Sequence, residues 1–166
     1  MQDADPGHAS PTHGNREQQL ERYGAGADAV VEALDGATEA ELDRRPPSGD
    51  WCVREIVHHL ADSESMAYIR LRRLIAEDDP VITAYDEPVW ARRLHYDRPI
   101  DASVAVLKAV RQASRELLLS LTPDEWRRGG THSESGRYDV ERWLAIYTEH
   151  GDQHADQIRR ARRGED

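Results

Sequence analysis

The chain has 166 residues, the length of one domain and enough to bury a core without disulfides or a structural metal. Asp and Glu total 32 against 22 Lys and Arg, a net charge of -10. Such a surface repels phosphate backbones and anionic lipid headgroups, so neither nucleic acid nor a membrane is an expected partner. A single cysteine, Cys52, rules out an internal disulfide and suits a reducing cytoplasm. No run approaches the ~20 apolar residues of a membrane span.

Residues 1 to 14 (MQDADPGHASPTHG) are rich in Pro, Gly, His, Ser and Thr, without the basic start and apolar stretch of a secretory signal. They read as a disordered tail, with His8 and His13 inert. One helical domain is expected over 15-166.

The spacing of apolar residues predicts four long helices. The first covers about Glu17 to Leu34, with Leu20, Tyr23, Ala27, Val30, Val31 and Leu34 on one stripe. Gly24 and Gly26 weaken it by about 1 kcal/mol each relative to Ala. The second covers Trp51 to about Ala76, with Asp50 as expected N-cap and Val53, Ile56, Val57, Leu60, Ala67, Tyr68, Leu71, Leu74 and Ile75 as its stripe. The third covers about Asp101 to Leu121, capped by Asp101, with Val104, Leu107, Val110, Ser114, Leu117, Leu118 and Leu121 aligned. The fourth covers about Asp139 to Arg163, with Val140, Trp143, Leu144, Tyr147 and Ile158 on one face. Its closing Arg159-Arg160-Ala161-Arg162-Arg163 suits the negative end of the helix dipole.

Two long connections remain, Glu77 to Ile100 and Thr122 to Arg137. The first exceeds ordinary connection lengths and is a place for function or a short extra helix. There is no strand alternation and no internal repeat. The expected fold class is all-α, a four-helix bundle with long crossover loops.

His150 and His154 are four apart and share a face with Trp143, Tyr147 and Ile158, so both imidazoles point into the bundle. Two unpaired buried imidazoles would be costly, and a shared cation removes that cost. On the second helix, His58 falls in the sector of Arg54, Asp62, Ser65 and Arg72, which reads as solvated. His59 falls with Cys52, Ser63 and Met66 beside the core stripe and is the expected third ligand. Three histidines leave open positions on a metal, as in catalytic zinc sites. A zincin is excluded, because Gly151 stands where His-Glu-x-x-His needs glutamate. A di-iron bundle needs two Glu-x-x-His motifs, and the only match, Glu55 to His58, lies on the solvated sector.

The stretch Trp51-Cys52-Val53-Arg54-Glu55-Ile56-Val57-His58-His59-Leu60-Ala61-Asp62-Ser63-Glu64 resembles the signature helix of the DinB-like superfamily. Tyr68-Ile69-Arg70, Pro80-Val81-Ile82-Thr83-Ala84-Tyr85-Asp86-Glu87 with Trp90, Leu121-Thr122-Pro123-Asp124-Glu125-Trp126 and His150-Gly151-Asp152-Gln153-His154 with Asp156-Gln157-Ile158 extend the similarity to its YfiT-like branch of metal-dependent hydrolase type, which includes bacillithiol S-transferases. The resemblance spans about residues 15 to 162. It implies a DinB-type bundle, nickel or zinc on His59, His150 and His154, and a homodimer. It also implies transfer of a low-molecular-weight, bacillithiol-like thiol to an electrophilic small molecule. Hydrolysis by metal-bound hydroxide, or a non-catalytic metal-binding stress protein, are the alternatives. The closing helix departs from its relatives, which are richer in histidine where Asp152 and Gln153 stand.

Among the remaining residues, His132 and Tyr147 are possible catalytic neighbours of the metal, against a solvated loop histidine and a packing tyrosine. His95 reads as surface. Asp62 and Glu64 are candidates to orient a ligand imidazole, Asp62 also as a solvated partner of Arg54 or Arg72. Trp51, Trp126 and Trp143 read as core anchors. Cys52, two turns from His59, reads as a small buried apolar residue rather than a fourth ligand. No general base stands out.

Overall fold

The computed structural model describes residues 13-166. Within them the chain runs α1 (His13–Leu34), α2 (Glu39–Leu42), α3 (Val53–Ala76), β1 (Val81–Ile82), α4 (Glu87–Arg93), α5 (Asp101–Ser120), α6 (Pro123–Trp126), β2 (Gly129–His132), β3 (Gly136–Asp139) and α7 (Val140–Arg163). The four long helices α1, α3, α5 and α7 are the four expected from periodicity. The expected tail falls on residues 1-12, outside those described, except that α1 already begins at His13.

The helices close a square. α1 packs on α7 and α5, and α3 packs on the same two. Buried side chains fall into two apolar clusters. One joins Tyr23, Leu71, Leu118, Trp126, Tyr138 and Trp143 at the end where the strands lie. The other joins Val30, Leu42, Ile56, Leu60, Leu107 and Ile158 at the opposite end.

A polar layer lies between them. Arg111 of α5 and Glu64 of α3 are each 1% exposed, and the Arg111 Nε–H donates to Glu64 Oε1 at 2.9 Å. Nη1 donates to the Tyr23 carbonyl of α1 at 2.8 Å, and Nη2 donates to the Tyr147 carbonyl of α7. One guanidinium thus holds all four helices. Glycines make the room: a Cβ on Gly151 would lie 2.7 Å from Arg111 Nη1, and one on Gly26 would collide with the same atom. This is why helices tolerate glycine at these positions despite its poor propensity.

Local chemistry sets the ends. Asp139 accepts from the Arg142 amide at 2.9 Å to start α7, and Gly164 ends it in the left-handed region (φ 72). Two expected caps are corrected. The N-cap of α3 is Cys52, not Asp50, because Glu55 reaches back to take the Cys52 amide at 2.9 Å. The N-cap of α5 is Ile100, which leaves Asp101 inside the first turn, where its charge still suits the dipole.

The long connections are not loops without structure. Thr122 and Glu125 form a capping box that starts α6. The expectation of no strands is corrected by a three-stranded sheet ordered β1-β2-β3. β2 and β3 pair antiparallel, Gly130 facing Tyr138, and β1 adds parallel to β2 with Ile82 facing His132. The strands are two to four residues long, too short for alternation to show. They tie the two crossovers together over one end of the bundle and deliver Ile82 and Tyr138 to the core.

Arg111→Met should destabilise the fold by about 3-5 kcal/mol in urea unfolding, because it strands the buried Glu64. Adding Glu64→Leu should recover most of that loss. Gly151→Ala should cost about 1-3 kcal/mol through overpacking, outweighing its helix-propensity gain of about 1 kcal/mol.

Candidate metal centre

Successive turns of α7 present His150 and His154, and α3 presents His59 across from them. The three Nε2 atoms face one another: His150 lies 3.3 Å from His59 and 3.1 Å from His154. One nitrogen from each ring fits within a 4.8 Å cluster, the only such group of metal-ligating side chains among the described residues. Metal–nitrogen bonds of about 2.0-2.1 Å at tetrahedral angles separate nitrogens by about 3.3 Å, so the spacing matches one shared cation. Three nitrogens this close cannot all carry protons, and three bare lone pairs repel one another; a divalent cation resolves both.

Protonation is suppressed at each ring. Burial, with the neighbouring His154 and His59, pushes His150 down to about 2. Burial and His154 push His59 down to about 4. Burial also lowers His154. His154 Nδ1 sits 2.7 Å from Gln157 Oε1, which assigns the ring proton to Nδ1 and the lone pair of Nε2 to the centre. The Trp51 ring packs 4.7 Å from His59. The three histidines open into a cleft of about 460 Å³ walled by Asp50, Trp51, Glu87 and Gln157. The ligand set is neutral and one side is open.

Other expectations fare differently. His58 is not solvated: it is 0% exposed, with Nδ1 2.7 Å from Ser103 Oγ and Nε2 2.9 Å from the Arg98 carbonyl. Tyr96 and Arg98 of the first crossover cover its sector, which periodicity within one helix does not reveal. Arg54 on the same face is likewise buried against Glu39 and Asp43. Glu64 does not orient an imidazole; it pairs with Arg111. Asp62 accepts from the Tyr96 hydroxyl at 2.6 Å rather than pairing with Arg54 or Arg72. Trp51 is half-buried, walling the cleft on one side and packing against the second apolar cluster on the other, whereas Trp126 and Trp143 are buried core anchors. His95 is exposed, and Cys52 is buried outside the ligand cluster.

His132 packs on Tyr138 with ring centres 5.5 Å apart and is not among the residues walling the cleft. Tyr147 is buried, its ring 6.1 Å from His150, and its hydroxyl accepts from Arg70 at 3.0 Å. The sequence reading missed Glu87. Burial raises its carboxyl above the usual range, against the pull of Arg70. Its placement depends on how the first crossover folds back, and no local signal carries that.

A family model for the DinB superfamily matches residues 22–158. The chain belongs to the DinB superfamily. Among its relatives is a protein of Oceanobacillus iheyensis, named "Putative metal-dependent hydrolase", 41% identical over 114 residues that cover 69% of this chain and 66% of that one, just under two thirds of its length. A protein of the same name from Halalkalibacterium halodurans is 31% identical over 80% of this chain and 76% of its own. The solved structure of YfiT from Bacillus subtilis, described as "a probable metal-dependent hydrolase with an unusual four-helix bundle topology", superposes with a TM-score of 0.88 at 27% identity. The match covers 96% of this chain and 92% of that one. This DinB protein is thus a helical bundle of the YfiT type, and its three histidines suit a divalent metal. None of its described helices is long and apolar enough to cross a membrane.

His59→Ala, His150→Ala and His154→Ala should each weaken divalent-metal binding by about a hundredfold in competition titration, and Gln157→Ala by about tenfold. Acid should destabilise the metal-free protein. The unfolded chain takes up protons at these histidines below about 6.5, while the folded rings stay neutral, so stability present above that pH is lost as pH falls toward about 4. The slope should be roughly 1.4 kcal/mol per pH unit for each histidine that titrates. His150→Ala should flatten it in urea unfolding at pH 7 and pH 5.

Proposed function

We propose that this chain is a metal-dependent enzyme that joins a low-molecular-weight thiol to an electrophilic small molecule, with zinc or nickel on His59, His150 and His154. The supporting observation is the neutrality of the ligand cluster: three imidazoles with suppressed protonation and no carboxylate among them. When bound, the cation keeps its full charge and lowers the pKa of a coordinated thiol or water, which supplies the nucleophile at neutral pH. A thiol ionises near 8.5 and needs only a small drop, so this site can activate it without a base in the ligand shell.

The side chains around the cluster do the positioning. Gln157 fixes the His154 ring. Trp51 covers one face of His59 and gives the cleft an apolar wall. The open cleft has room for a nucleophile and an electrophile together. The expected setting is the cytoplasm, where low-molecular-weight thiols are reduced.

Hydrolysis is the second reading, favoured by Glu87. Its carboxylate walls the cleft without joining the ligand cluster, the place of a general base for water.

Metal-loaded protein incubated with a thiol and 1-chloro-2,4-dinitrobenzene should consume the thiol well above His59→Ala and His154→Ala controls. If it does not, while an activated ester is cleaved, the hydrolytic reading replaces the first. Glu87→Gln should then slow ester cleavage by about a hundredfold.

A further inference from the structure

Tyr147 lies one turn before His150. From three turns past His59 on α3, Arg70 reaches back to it: Nη1 donates to the Tyr147 hydroxyl at 3.0 Å, and Nη2 donates to the Thr83 carbonyl at 2.7 Å. Both hydrogen-bond partners are neutral, and the guanidinium also acts electrostatically on Glu87, which walls the histidine cleft. The Arg70 Nε–H is buried with no partner among the described residues. So is the hydroxyl of Tyr85, whose ring centre lies 5.9 Å from the guanidinium carbon and whose ring stacks on Trp90 at 4.5 Å. Leaving a buried donor unmet is costly, and natural folds do so rarely. Here two occur together, one charged, next to a candidate reaction centre. The segment that covers them, residues 83-87, is itself exposed or half-exposed.

We propose that Arg70 and Tyr85 form a recognition site for a carboxylate, so that the small molecule brought to the metal centre is an anion whose carboxylate points along α3 toward the sheet. The chemistry is specific. Both groups offer protons and one is cationic, so the ligand atom must accept and be negative. A guanidinium N–H and a phenol hydroxyl together can take the oxygens of one carboxylate. A neutral acceptor would answer the hydrogen bonds but not the charge, and a cation would be repelled. The inference rests on the catalytic reading only for what occupies the metal end.

The test uses ω-mercapto carboxylic acids from 3-mercaptopropionate to 6-mercaptohexanoate, each beside its primary amide. Binding is read by ligand NMR titration on full-length metal-free and zinc-loaded protein. The wild type should prefer acid over amide by at least tenfold, most strongly at one chain length. Arg70→Gln and Tyr85→Phe should bring that ratio toward one, and Arg70→Lys should keep part of it. Tyr85→Phe keeps the ring and its packing on Trp90 and removes only a hydroxyl, so its urea midpoint should stay near wild type, which separates lost recognition from lost folding. A wild-type ratio near one, or one unchanged by Arg70→Gln and Tyr85→Phe, overturns the proposal. A sulfur-to-metal absorption band in cobalt(II)-substituted protein reports the thiol end separately. Acid preference in metal-free protein without that band refutes the thiol reading and upholds the carboxylate site; the band without acid preference does the reverse.

Discussion

One guanidinium sets the architecture. Arg111 sits where the two apolar clusters part, bonded to Glu64 on α3 and to the Tyr23 and Tyr147 carbonyls on α1 and α7. A charge so deeply buried is tolerated only when its partners are complete. The helices can therefore adopt very few relative positions, since sliding any one of them breaks a bond that water cannot replace. Apolar packing alone would accept neighbouring registers.

That constraint reaches the metal centre through α7. Gly151, against which the guanidinium lies, is flanked by His150 and comes three residues before His154. On α3, Glu64 follows His59 by five residues. The bolt and the ligand triad thus share one level of the bundle, and convergence of three nitrogens within about a bond length of a common point follows from a rigid neighbour. Loops could not hold three rings so closely.

The helices and the triad were legible because both rest on short-range periodicity. A spacing of four placed His150 and His154 together, and the wheel of α3 chose His59 over His58. The reading of His58 as solvated failed for a related reason: a single helix shows which side chains share a face, not whether a crossover later covers it. Residues such as Tyr96 and the Arg98 carbonyl, some 40 positions away, bury that face. Arg111 was hidden because an arginine on an otherwise polar stretch of α5 looks like surface. Its traces in the sequence are Gly26, which weakens α1, and Gly151 in the middle of α7. The sheet was hidden because its strands are too short to alternate and owe their existence to each other.

The division between bundle and crossover has an evolutionary consequence. The ligand histidines stand on helices locked by a buried charge, where most changes are punished. The wall beside them contributed by Glu87 belongs to α4, a helix with no fully buried residue. Mutations there are cheap for folding yet face the cleft. The fold thereby lets the cleft wall change shape without disturbing the helices that carry the histidines, a separation by which one scaffold can vary what it admits without rebuilding its centre.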